Sequence, residues 1–219
     1  MDTISPEQTL REVEFVNSYL PPESVILDLP CGTGRHARLL ADLGHHVIAV
    51  DRNAAVLNPE SQERLSFVCA DMRHLPLRPA SVDALVCLWQ SFGYHDAIEN
   101  LGVLRTWRET VRDGGLLILD LYHRTYFELE QGDRVLDRNG ERVTEVRRME
   151  GNRLIVELSY PDRGGSDRFE WQLFSPKELT ETALRANWEM ITVCSGFQRT
   201  EVPTQERARV QYVFRAVAA

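Results

Sequence analysis

The residues with the most evident chemistry lie in one run, Asp28-Leu29-Pro30-Cys31-Gly32-Thr33-Gly34-Arg35-His36-Ala37. Gly32, Gly34 and Ala37 form a G-x-G-x-x-A pattern between the apolar run Val25-Ile26-Leu27 and a segment with helical spacing. Glycine permits positive φ and lets a ligand approach bare backbone. The helix that follows offers free N–H groups and a partial positive charge. Asp51 ends a second apolar run 17 residues after Gly34, where a carboxylate can accept both hydroxyls of a ribose. Asp71 ends a third such run, Leu65 to Ala70. Asp28, just before the turn, repels a pyrophosphate, which disfavours a nicotinamide dinucleotide. It favours a ligand with an ammonium and a sulfonium beside its ribose and adenine, as in S-adenosylmethionine (SAM).

These acids stand at strand ends. Ser24–Leu29, Val47–Val50, Leu65–Ala70, Ser81–Leu88 and Leu116–Leu121 read as strands. Arg35–Leu43 and about Asp96–Arg112 read as helices between them. Near-continuous apolar strands alternating with helices imply a parallel sheet covered on both faces, with ligands at the carboxyl ends of the strands. Ser5 and Pro6 mark the start of an earlier helix that stops at Pro21-Pro22. After Tyr122 the rhythm changes. Arg142–Glu150, Arg153–Tyr160 and a run around Phe169, Trp171 and Leu173 read as three antiparallel strands, the first two joined at Gly151-Asn152. Ser175-Pro176-Lys177-Glu178 is a capping box opening a last helix, and strands near Met190–Val193 and Arg209–Val217 close the fold.

With the motifs in order, the sequence resembles the class I SAM-dependent methyltransferases of small-molecule type. Asp28 to Gly34 is similar to their first motif, with Pro30 a variant, and Asp51 to their ribose acid. Ala70-Asp71-Met72-Arg73-His74-Leu75-Pro76 is similar to their adenine-contacting segment, and Arg112-Asp113-Gly114-Gly115 to the turn before their fifth strand. The resemblance implies an α/β, doubly wound, mostly parallel seven-stranded sheet with an antiparallel last strand. It implies a core of residues 1–123 and 175–219, and an inserted three-stranded antiparallel lid at 124–174, for which a dimerisation surface is the alternative. It implies SAM as cofactor and S-adenosylhomocysteine (SAH) as product. The expected cofactor-binding residues are Asp28, Pro30, Gly32, Thr33, Gly34, Asp51, Arg52, Asp71, Met72 and Leu88, with Tyr19 a cap from above.

Leu88 to Tyr94 looks like the substrate-facing turn, with Trp89, Phe92, Tyr94 and Tyr122 as an acceptor wall. His123, His95 and Tyr94 are the candidates for a base. Trp89 could equally pack in the core, and a loop histidine commonly only hydrogen-bonds. His36, His45, His46 and His74 read as structural. Arg142, Arg147, Arg148, Arg153 and Arg168 could meet an acidic substrate or form a solvated face. The expected reaction is methyl transfer to N or O of a small molecule. The alternatives are a nicotinamide-dependent oxidoreductase and a non-catalytic SAM-binding regulator.

Composition narrows the class further. The chain has 219 residues, 43% hydrophobic and 26% charged, as expected of an ordinary globular protein. A net charge of −8 opposes a nucleic-acid partner. The four cysteines show no C-x-x-C spacing, so no metal site is expected and the thiols read as reduced and mostly buried. The amino-terminal residues from Met1 to Pro6 do not read as a signal peptide, and no apolar run approaches a membrane span. A cytoplasmic protein, unattached to membranes and with a homodimer as one option, is the resulting expectation.

Overall fold

The computed structural model describes residues 4–58, 62–138 and 140–218, so the amino-terminal Met1–Thr3 lie outside the described residues. Five strands run parallel: β1 (Val25–Asp28), β2 (His46–Asp51), β3 (Leu65–Cys69), β4 (Val82–Cys87) and β5 (Val111–Tyr122). The core helices are α1 (Pro6–Asn17), α2 (Arg35–Asp42), α3 (Ala97–Thr110) and, after the insertion, α5 (Pro176–Leu184). Two last strands, β10 (Trp188–Cys194) and β11 (Arg209–Ala216), complete a seven-stranded sheet in the order β10-β11-β5-β4-β1-β2-β3. Only β11 runs against its neighbours on both sides, β5 and β10, as expected of the last strand.

The order reverses between β1 and β4, so their carboxyl ends flank a crevice. Local sequence explains the helices that border it. Ser5 caps α1, its Oγ accepting from Gln8 N at 3.1 Å, with Pro6 at the first position. α1 buries Thr9, Glu12, Val13 and Val16 along one stripe, with Phe15 beside them, and packs with Ala37 and Leu40 of α2 on one face of the sheet. The opposite face is covered by Leu104 and Trp107 of α3 and by Leu179 and Ala183 of α5. Trp107 and Trp188 are fully buried, and their indole N–H groups donate to the carbonyls of Met72 and Leu104. The capping box of α5 is complete: Glu178 N donates to Ser175 Oγ and Ser175 N to Glu178 Oε2.

The insertion differs from expectation in one strand. It contains four antiparallel strands, β6 (Gly132–Arg138), β7 (Glu141–Glu150), β8 (Arg153–Ser159) and β9 (Ser166–Gln172), preceded by a short helix, α4 (Arg124–Leu129). β6 escaped the sequence reading because it is a charged edge, Gly-Asp-Arg-Val-Leu-Asp-Arg, whose polarity reads as loop and whose charges guard an open edge. The Gly151-Asn152 hairpin falls where expected, pairing Glu150 with Arg153. A separate core of Phe127, Val143, Leu154, Leu158 and Trp171 holds α4 to this sheet. No helix among the described residues is long and apolar enough to cross a membrane.

Candidate functional site

The glycine turn sits at the carboxyl end of β1. Gly32 has φ +54°, and the position a Cβ would take there is open space. Gly34 has φ +81°, and a Cβ would stand 2.7 Å from the Phe67 ring. The first glycine thus leaves an open face, and the second brings the turn close to β3. Gly34 precedes Arg35, so the start of α2 points its free N–H groups toward the turn. Pro30 follows a cis peptide bond, and Thr33 is exposed beside the turn.

Asp28 is buried, and one of its oxygens, Oδ2, has no hydrogen-bond partner. Burial raises its pKa to about 6. His36, Arg35 and the Ala37 N–H pull it down in part, and Asp51 pushes it up. A buried carboxylate with a free acceptor is costly unless a donor arrives. Asp51 ends β2; Oδ2 accepts from Gly32 N and Oδ1 from Asn53 N, both at 2.9 Å. Each oxygen keeps a lone pair for a further donor. Arg52, next to it, is exposed.

Asp71 follows β3 and is gripped by Arg73. Oδ1 accepts from Arg73 N and Nε, and Oδ2 from Arg73 Nη2 at 2.8 Å. The Arg73 guanidinium holds its carboxyl down at about 2. A remaining lone pair on Oδ2 is what Asp71 can still offer an exocyclic amine. Met72 packs against the core with its carbonyl committed to Trp107, and Leu88 is buried beyond β4.

The turn after β4 is held from several sides. Trp89 and Gln90 have φ +62° and +54°, a conformation L-residues rarely adopt. Trp89 N donates to the buried Asp120 on β5 at 3.0 Å, and its indole Nε1 donates to Glu12 Oε1 at 2.9 Å. The Arg35 and Arg209 guanidinium groups lie 5.0 and 4.5 Å from the Trp89 ring centroid. Arg209 is paired with Asp120, which also receives Gln211 Nε2 at 2.8 Å. Burial disfavours the arginine's charge, and Asp120 more than restores it.

The acceptor wall is divided. Tyr94 and Tyr122 flank Trp171 of β9 at ring-centroid distances of 5.6 and 5.7 Å, and Arg209 lies 5.5 Å from the Tyr122 ring. Burial raises the pKa of both phenols. The Trp171 N–H has no aligned acceptor, yet lies near enough to Tyr94 to offset part of that rise. Phe92, expected on this wall, is a core residue instead: it is 1% exposed and packs between Trp107 and Phe174. Gly93 fixes the second sheet here. Gln172 N donates to Gly93 O at 2.7 Å, and a Cβ on Gly93 would meet Gln172 O at 2.4 Å.

Of the two histidines expected as bases, His123 has its ring committed. His123 caps α4, its Nδ1 accepting from Tyr126 N at 3.3 Å, which places the neutral ring's proton on Nε2. Burial lowers its pKa. His95 has its ring 3.9 Å from Glu99 and its carbonyl bound by Asn100 Nδ2 and Arg153 Nη1. Tyr19 stands elsewhere than expected. It lines a groove with Asp83, Arg112 and Gly114 at the opposite end of the sheet, because α1 points its carboxyl end that way. Of the five arginines weighed for an acidic substrate, Arg148 and Arg168 pair with Glu157 on a solvated face, Arg153 pairs with Glu170, and Arg147 pairs with the buried Glu145.

Sequence reasoning missed Glu12, which has no exposed surface. Its Oε2 lies 2.7 Å from Arg35 Nη1 and from His36 Nε2. Burial raises its pKa, but His36, Trp89 and Arg35 together hold it at about 2. Its signal in the sequence was its place in the buried stripe of α1, between Thr9 and Val16. No group of three or more His, Cys, Asp or Glu among the described residues could hold a metal ion.

Residues 26–115 match the family model of a methyltransferase domain. The demethylmenaquinone methyltransferase of Corynebacterium urealyticum is 29% identical over 100 residues, 46% of this chain and 42% of that one. The chain thus spans less than half the length of this relative. The CcbJ methyltransferase from Streptomyces caelestis superposes with a TM-score of 0.82 at 20% identity, over 98% of this chain and 91% of that one. The sugar N-methyltransferase KedS8 from Streptoalloteichus superposes at 0.71 and 20% identity, over 97% and 88%. Residues 26–115 thus match a methyltransferase domain, and the chain as a whole shares the fold of these solved methyltransferases.

Proposed function

We propose that this protein transfers the methyl group of SAM to a nitrogen or oxygen atom of a small molecule, leaving SAH. The observation that carries this reading is the buried, unpartnered Asp28 oxygen beside an open glycine turn. An ammonium group satisfies that oxygen, whereas a pyrophosphate would add charge to charge. Asp28, Pro30, Gly32, Thr33 and Gly34 then cradle the amino-acid end. Asp51, with Arg52 at its side, takes the ribose hydroxyls. Asp71, Met72 and Leu88 border the adenine.

The cofactor supplies an activated methyl on a good leaving group. The protein's part is to hold an acceptor in line with it, and positioning alone is worth about 7–11 kcal/mol. Trp89, Tyr94 and Tyr122 are assigned that role in this reading, with the second sheet as lid. Tyr94 and His95 remain as base candidates, because of the three only His123 has its ring acceptor committed, to capping α4. The sugar N-methyltransferase KedS8, which shares the fold, supports nitrogen as the acceptor atom. The net charge of −8 supports a small molecule over nucleic acid, and the free cysteines suit a reducing cytoplasm.

The test is calorimetry with SAH on wild type and Asp51→Ala. Wild type binds, and the variant loses about 1–3 kcal/mol through unmade ribose hydrogen bonds. A wild-type protein that ignores SAH ends the proposal, and an Asp51→Ala that binds equally well ends the assignment of that residue.

A further inference from the structure

We propose that Glu12 on α1 is a positioning residue for the cofactor seat: it locks the start of α2 and the turn after β4 to each other, so that losing its charge weakens cofactor binding beyond any loss of stability. The proposal rests on the reading of the site as a SAM seat.

The geometry is that of a junction. Oε2 receives Arg35 and His36, the first two residues of α2 and the two that follow the glycine turn directly. Oε1 receives the Trp89 indole N–H and, at 3.2 Å, Gln8 Nε2 from the preceding turn of α1. Arg35 Nη1 also donates to Thr9 Oγ1 at 2.8 Å, a second tie from α1 to the same helix start. The strained Trp89 turn is therefore fixed at both ends, by Asp120 on its backbone and by Glu12 on its ring. One carboxylate thus sets the distance between the two loops that flank the crevice. It also sets where Arg35 and His36 stand relative to Asp28, on which both act.

Stability alone does not call for such a group. Buried ion pairs replaced by apolar residues of similar volume are often neutral or stabilising in effect, and their better-attested use is to specify one arrangement. An apolar side chain on this stripe of α1 would fill the space without directing Arg35, His36 and Trp89 to one point.

The test is SAH affinity of Glu12→Gln by calorimetry, at a temperature where circular dichroism shows the variant folded. The amide keeps one acceptor for Trp89 but turns donors toward Arg35 and His36, so binding is expected to weaken at least tenfold. Trp89→Phe, which removes only the indole N–H, and Arg35→Met are expected to weaken binding severalfold, and they decide the matter if Glu12→Gln does not fold. Trp188→Phe, whose indole bonds far from the crevice, serves as a control for lost stability and is expected to stay within twofold. The proposal is overturned if the folded Glu12 and Trp89 variants bind SAH within twofold of wild type, or if the control loses as much. A wild-type protein without SAH affinity overturns the functional reading instead, so the two failures are told apart.

Discussion

Asp28 is the residue whose environment yields the sharpest quantitative expectation. Its carboxyl stands at about 6 in the fold against 3.8 ordinarily, because burial outweighs the attraction of His36, Arg35 and the Ala37 N–H. The folded pKa is the raised one, so the folded state is favoured when the proton is on. The contribution is fully present below 3.8 and is lost as pH rises through about 6. Integrating the two titrations, keeping Asp28 ionised costs the ligand-free fold about 3 kcal/mol at pH 7, of which about 1.3 kcal/mol accrues between pH 5 and 7. The perturbation is Asp28→Asn, and the assay is urea unfolding of both proteins at several pH values from 5 to 7.5. The asparagine's own offset does not vary with pH, so the difference between the proteins isolates the carboxyl. The stability of wild type relative to the variant is expected to fall by about 1 kcal/mol from pH 5 to 7. Saturating SAH, whose ammonium favours the ionised form, should shrink that slope, and SAH affinity should rise about tenfold over the same range. A pH-independent difference between the two proteins would refute the reasoning.

Other substitutions test the scaffold. Gly93→Ala forces a Cβ against the Gln172 carbonyl at 2.4 Å in a backbone of φ +102°; faster hydrogen exchange in β9 is expected, with SAH affinity retained. Arg209→Met strands the fully buried Asp120 carboxylate and should cost about 3–5 kcal/mol in urea unfolding, with exposure of the Trp89 turn. Trp188→Ala empties a fully buried indole site and should cost about 3–5 kcal/mol by the same assay, the pH dependence from Asp28 staying unchanged.

What the sequence disclosed follows from how each element is stabilised. β1, β2 and β4 are largely buried, so they show as apolar runs, the first two ending in an aspartate, and the glycine turn lies between those two signals. β6 carries its pairing in the backbone and its charges toward solvent, which leaves no hydrophobic pattern to read. Phe92 looked like a wall residue because it neighbours Tyr94, but a turn with positive φ at Trp89, Gln90 and Gly93 reverses which side chains face inward. Glu12 and Asp120 were invisible as a pair of anchors because a carboxylate's partners are set by tertiary contacts, 77 residues apart for Glu12 and Trp89. The acid within the apolar run Leu119-Asp120-Leu121 was the available hint, since a charge in a central strand needs a partner.

A crystal structure of the protein with SAH would show where the nucleoside lies. The expected result has the SAH ammonium within hydrogen-bond distance of Asp28, its ribose hydroxyls on Asp51, and its chain over Gly32. SAH bound away from the β1–α2 turn, with Asp28 still unpartnered, would contradict it.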